Sequence, residues 1–103
     1  MRSEEQGKRA VKTYIVGYDL NRPQQEYPEL IAAIKKIGTT WWHHLDSTWI
    51  VKSDLSAAEI RDLLTRHIDS NDELLVAALT GESAWIGFNE RGAKWLNDNI
   101  VPS

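Results

Sequence analysis

The apolar positions of this chain change their spacing along its length, and that change predicts the elements. Thr13 to Leu20 is an almost unbroken run of β-branched and aromatic residues that stops at the turn cluster Asn21-Arg22-Pro23. This predicts a first strand. Tyr27, Leu30, Ile31, Ile34 and Ile37 then recur at helical spacing behind Pro28, with Lys35 and Lys36 in the last turn and Gly38 as a stop. They predict a first helix with one apolar stripe. Thr39 to Leu45 and Ser47 to Lys52 are rich in Trp, Thr, Ile and Val and meet near Asp46, so they predict two antiparallel strands. Ser56 and Glu59 form a capping box, with Leu55 and Ile60 in staple positions. The second helix that they open carries Leu63, Leu64, His67 and Ile68, and Asp69-Ser70-Asn71-Asp72 ends it with turn chemistry. Glu73 to Thr80 holds Leu74 to Leu79, apolar on both faces, and Gly81 breaks it. Ala84 to Phe88 predicts a short fifth strand, and Asn89 caps a last helix carrying Ala93, Trp95, Leu96 and Ile100.

The order is β-α-β-β-α-β, followed by a short strand and a helix. Two right-handed crossovers in that order give an α+β fold of ferredoxin-like type: a four-stranded antiparallel sheet with two helices on one face. The other face has too few polar residues to meet water. The first strand offers Tyr14, Val16 and Tyr18 on one side and Ile15 and Gly17 on the other; Trp41 and Trp42 point to opposite faces. Part of the cover is expected from the last helix and part from a second copy of the chain. The interface residues expected for that homodimer are Tyr14, Val16, Tyr18, Trp85 and Phe88.

A length of 103 residues allows one domain, taken as residues 13–103 behind a polar lead-in, residues 1–12. The absence of cysteine excludes disulfides and thiolate metal sites and favours a reducing compartment. No apolar run has the length of a signal peptide core or a membrane span. A cytoplasmic protein with no membrane partner is the expectation. The net charge is −3, and from Thr13 onward 8 basic residues stand against 13 acidic ones. A surface that neutralises many phosphates is not what this balance predicts.

Candidate chemistry is sparse. Asp19 ends the first strand beside a loop, where a carboxylate can bind a hard cation such as Mg²⁺ or cap the turn through its side chain. One Asp per chain makes a poor metal site, and two brought together across a symmetric dimer make a plausible one. His43 and His44 are adjacent in a strand and face opposite ways, so both imidazoles cannot grip one ion. His67 lies on the apolar side of the second helix, and Ser47 sits near a turn with no base placed beside it. Five tryptophans offer either stacking platforms for single-stranded bases or buried packing.

Tyr18-Asp19-Leu20 at the end of an apolar first strand, Ser47-Thr48-Trp49-Ile50-Val51 opening a later one, the Ser-capped helix and the fourth strand behind Asp72 form a pattern over Thr13 to Phe88. It resembles the small CRISPR-associated subunit Cas-two and its relative, virulence-associated protein D. Trp41-Trp42-His43, Leu45-Asp46-Ser47-Thr48-Trp49 and Asp72-Glu73-Leu74-Leu75-Val76 are similar to small bacterial proteins labelled SinR family. The resemblance implies a homodimer formed through the sheets, with the fifth strand added to the partner's sheet. It also implies an aspartate, here Asp19, that holds a divalent cation between subunits for nuclease activity in some members. Other members bridge DNA without catalysis. On these grounds Asp19 is the candidate catalytic and metal-binding residue, with Mg²⁺ as its cofactor. Arg22 and Ser47 are candidate contacts to DNA or RNA. The chain departs from the family where a second acidic residue often follows the aspartate, since Asn21-Arg22-Pro23 stands there. The expected function is a homodimeric module that binds nucleic acid or a protein partner. The alternative is a Mg²⁺-dependent endonuclease or ribonuclease toxin that uses Asp19 from both subunits.

Overall fold

The computed structural model describes residues 9–23 and 26–100. Seven elements follow in order: β1 (Lys12–Asp19), α1 (Pro28–Lys36), β2 (Thr40–Leu45), β3 (Thr48–Ser53), α2 (Ala57–Thr65), β4 (Glu73–Ala78) and α3 (Glu90–Asn99). The fold is α+β, with one four-stranded sheet in the order β2-β3-β1-β4 and every pairing antiparallel. The expected lead-in, residues 1–12, lies outside the described residues as far as residue 8.

Local chemistry accounts for the helix ends. At α2 the Glu59 amide donates to Ser56 Oγ at 3.1 Å while the Ser56 amide donates to Glu59 Oε1 at 2.9 Å, so both halves of the capping box are made. At α3 the Gly92 amide donates to Asn89 Oδ1 at 2.8 Å. The end of α1 has a different cause from the one its sequence implies. The helix closes at Ile37 in ordinary αR geometry. Gly38 is required because a β-carbon there would run into the Lys52 carbonyl, to which the next residue, Thr39, donates its amide at 3.0 Å.

Two cores sandwich the sheet. On one face Leu30 and Ile34 of α1 and Ile60 and Leu64 of α2 pack against Tyr14, Val16 and Tyr18 of β1 and Trp49 and Val51 of β3. Leu55, the predicted staple residue, packs against the same cluster. On the other face Leu96 and Ile100, from α3 and its C-cap, meet Trp42 of β2 and Ile50 of β3, with Ile15 and Phe88 at the margin. Trp41 and Trp42 point to opposite faces as the strand period requires.

Two expectations are corrected. Tyr14, Val16 and Tyr18 lie beneath α1 and α2 and are buried, so they are not available to a second subunit. Residues 84–88 form no strand in the chain: Gly87 takes φ of +94°, and Trp85 and Phe88 fold down onto the second core. β4, apolar on both faces as its sequence reads, is a sheet edge, and Leu75 on the face away from α1 and α2 is 64% exposed.

Candidate functional site

Strand register places the candidate residues at one end of the sheet. Along β1, Thr13, Ile15, Gly17 and Asp19 share the face opposite α1 and α2. Ile15 and Gly17 each belong to a row of paired residues that crosses the sheet. The row through Ile15 runs from Trp42 to Ile50, Ile15 and Ala77, and α3 packs against it. The next row runs through Leu45, Thr48, Gly17 and Leu75. Leu45 is 49% exposed, Leu75 64%, and a β-carbon at Gly17 would meet nothing within 4 Å. This row is uncharged and continuous across all four strands, with apolar side chains exposed at both ends. Ile86, 91% exposed, stands in the segment that flanks it and lines an apolar hollow of about 260 Å³ together with Leu45, Thr48 and Phe88.

Beyond the bare row, Asp19 stands directly opposite Glu73 of β4, and both are exposed. Two like charges in register are unfavourable for the sheet. Glu73 is thus a carboxylate beside Asp19, across the strand pair and not in the β1 loop. Glu73 has no sequence signal as a partner of Asp19, because the β1–β4 register that joins them is a long-range property. Among the described residues no group of three or more metal-ligating side chains converges. Asp19 and Glu73 together are two donors, and Mg²⁺ takes one or two protein carboxylates and fills the rest of its shell with water or substrate oxygens.

Arg22 is engaged elsewhere. Its Nε donates to Asp69 Oδ2 at 3.2 Å, a second nitrogen lies 3.5 Å from Glu26, and the guanidinium sits 4.6 Å from the Tyr27 ring centroid. Tyr27 is buried, and its hydroxyl reaches Asn21 Oδ1 at 2.8 Å, Asp72 Oδ2 at 2.9 Å and Asp69 Oδ2 at 3.2 Å. A phenol carries one proton and can donate to one of these oxygens at a time. Turning the Asn21 amide over lets its NH₂ donate to the phenol oxygen, which leaves the phenol proton for Asp72. Burial pushes the Asp72 carboxyl upward. The amides of Asn21 and Asp69, the phenol and Arg22 outweigh that and hold it below the usual carboxylate range. These contacts clamp the β1–α1 loop to the α2–β4 loop. Arg22 holds these surface ion pairs with its side chain still 46% exposed.

Ser47 is exposed in the β2–β3 turn, and its carbonyl accepts the Tyr18 amide at 3.1 Å, so its backbone anchors the turn beside β1. The histidines separate as their alternation requires. His43 stacks on Trp49 with ring centroids 3.7 Å apart, while His44 packs near Trp42 and Phe88 on the other face. His67 lies 3.9 Å from Glu29 at the surface of the helix pair. Trp85 and Phe88 are half-buried against the second core, beside the bare row. Sequence reading missed Leu45, Leu75 and Ile86 as a surface, because an exposed apolar residue looks like a core residue until the cover is known. Among the described residues no helix is long and apolar enough to cross a membrane. Compared with protein-family models, curated proteins and solved structures, the chain gives no significant match.

Proposed function

We propose that this chain is a ferredoxin-like, Cas-two-like module that works as a homodimer and binds a nucleic acid or protein partner without turnover. The ferredoxin-like reading is supported by the connections: α1 leads from β1 to parallel β2 and α2 from β3 to parallel β4, each skipping one strand. The observation that carries the functional reading is the bare row Leu45, Thr48, Gly17 and Leu75, an uncharged line across the sheet beyond the row that α3 packs against, with Leu45 and Leu75 exposed at its ends. A second copy, turned by a two-fold axis, offers the same row in return. Light scattering after size exclusion tests this. A mass of twice the 11.8 kDa chain at micromolar concentration is expected, and a monomer sinks the reading.

A second reading is favoured by the register of Asp19 with Glu73. On this reading the two carboxylates of each subunit hold Mg²⁺ for hydrolysis of a phosphodiester, the ion activating water and neutralising the developing charge. It requires cleavage of DNA or RNA that depends on Mg²⁺, stops with chelator and disappears in both Asp19→Asn and Glu73→Gln. Cleavage unchanged in Asp19→Asn removes it.

A further inference from the structure

We infer that the free edge of β2 is a docking groove for a short, extended, acidic peptide, which adds to the sheet as a strand beyond β2. β2 is one of the two sheet edges. Residues 39–44, taken consecutively, line a single cavity of about 550 Å³. Successive strand residues point to opposite faces, so a cavity that meets all six runs along the edge itself. Among the described residues the backbone groups of Thr40–His44 have no hydrogen-bond partner outside the β2–β3 ladder. Such groups are what an added strand uses.

The far wall comes from α3, through Asn89, Arg91 and Trp95. That wall is fixed in place. Trp95 Nε1 donates to Thr40 Oγ1 at 2.8 Å, and Trp42 Nε1 donates to the Gly92 carbonyl at 3.2 Å. Gly92 lets α3 sit close to β2, since a β-carbon there would stand 3.1 Å from the His44 ring. The groove is therefore built before any ligand arrives. Its length is bounded by the register shift between Trp42 and Leu45, which ends regular pairing. The span accommodates about four or five residues at ~3.3 Å each.

Charge selects the occupant. The lining carries Arg91, His43 and His44 and no carboxylate, and Lys35 Nζ sits 5.0 Å from the Trp41 ring centroid at the rim. This concentration of cationic and imidazole groups occurs on a chain of net charge −3. Single-stranded nucleic acid fits less well, because it needs open aromatic faces. Trp42 is buried, His43 is already stacked on Trp49, and Trp41 holds Lys35 over its ring while tilting against Trp49. The groove runs along the edge of β2 and abuts the bare row where His44 precedes Leu45, so peptide binding is read from the amide shifts and the homodimer separately from its mass.

The test uses the full chain and a capped alternating Glu-Val hexapeptide, followed by amide and indole NMR shifts. Binding is expected to move the amides of Thr39–His44 and the Trp95 indole N–H. Arg91→Glu is expected to weaken binding about tenfold. N-methylation of one alternate set of peptide nitrogens abolishes binding while methylation of the other set leaves it intact, because only one set faces the sheet. Equal binding by both methylated peptides overturns the proposal. So do shifts confined to other surfaces, or shifts at these residues produced by oligo-dT and not by the peptide.

Discussion

Gly17 and Gly38 show how one residue type serves two unrelated purposes in this chain. A β-carbon on Gly38 collides with the Lys52 carbonyl, which is backbone and cannot rotate away. Gly38→Ala is therefore expected to lose about 1–3 kcal/mol of stability in urea denaturation, the range for an overpacked site. Gly17 has open space above it. Gly17→Ala is expected to be neutral or to gain up to ~1 kcal/mol, because alanine loses less chain entropy on folding. Charge acts at the same scale. Arg9 lies 2.7 Å from Glu59, and with the Ser56 amide it holds the Glu59 carboxyl down at about 2. A carboxyl depressed in the folded state adds stability that is complete above its unfolded pKa and vanishes as pH falls through the folded one. The Glu59 contribution is thus lost between the ordinary glutamate range and about pH 2. A carboxyl ¹³C titration should place its midpoint near 2, and Arg9→Ala should raise that midpoint. The Asp72 clamp weakens in the same direction, on the acid side of the usual aspartate range.

At the scale of elements, α2 is the part most legible in sequence, because its start depends on four neighbouring residues. Ser56, Glu59, Leu55 and Ile60 carry their signal within one turn, and each takes the predicted place. Ser56→Ala removes the acceptor for the Glu59 amide and is expected to cost about 1 kcal/mol in thermal or urea unfolding. Ser47→Ala, exposed in a turn that holds β1 through its backbone carbonyl, should be silent in the same assay. Other features were not legible for a physical reason. β1 is apolar on both sides, so its alternation separates Tyr14, Val16 and Tyr18 from Ile15 and Gly17 without saying which set meets the helices. Residues 84–88 have strand composition, but Trp85 and Phe88 both pack against the second core, a long-range contact that the segment alone does not signal. The opposition of Asp19 and Glu73 is a register property and leaves no mark on either segment alone.

At the scale of the molecule, the sheet is covered by two helices on one face and only partly by α3 on the other. Leu75→Glu places a charge at the β4 end of the bare row while leaving both cores untouched, so on the proposed dimer it should give a folded monomer by light scattering. Leu63→Glu, 36% exposed on the α2 side, changes charge equally and should stay dimeric. The same packing makes a sharper demand of Asp19. On the proposed dimer, with the two-fold axis passing near Gly17 and running along β1, Asp19 and Glu73 of one subunit lie near those of its copy, four carboxylates in all. In the absence of a cation they repel one another, and repulsion at short range across a partly desolvated contact outlasts moderate salt. Asp19→Asn should then dimerise at lower concentration than the natural chain in chelator. Mg²⁺ should tighten the natural dimer and leave the Asp19→Asn dimer much less affected. Sedimentation across a concentration series, with and without Mg²⁺, reads all four conditions. If Asp19→Asn changes nothing in chelator, the carboxylates do not meet, and the paired-Asp19 nuclease loses its geometry even if the dimer itself survives.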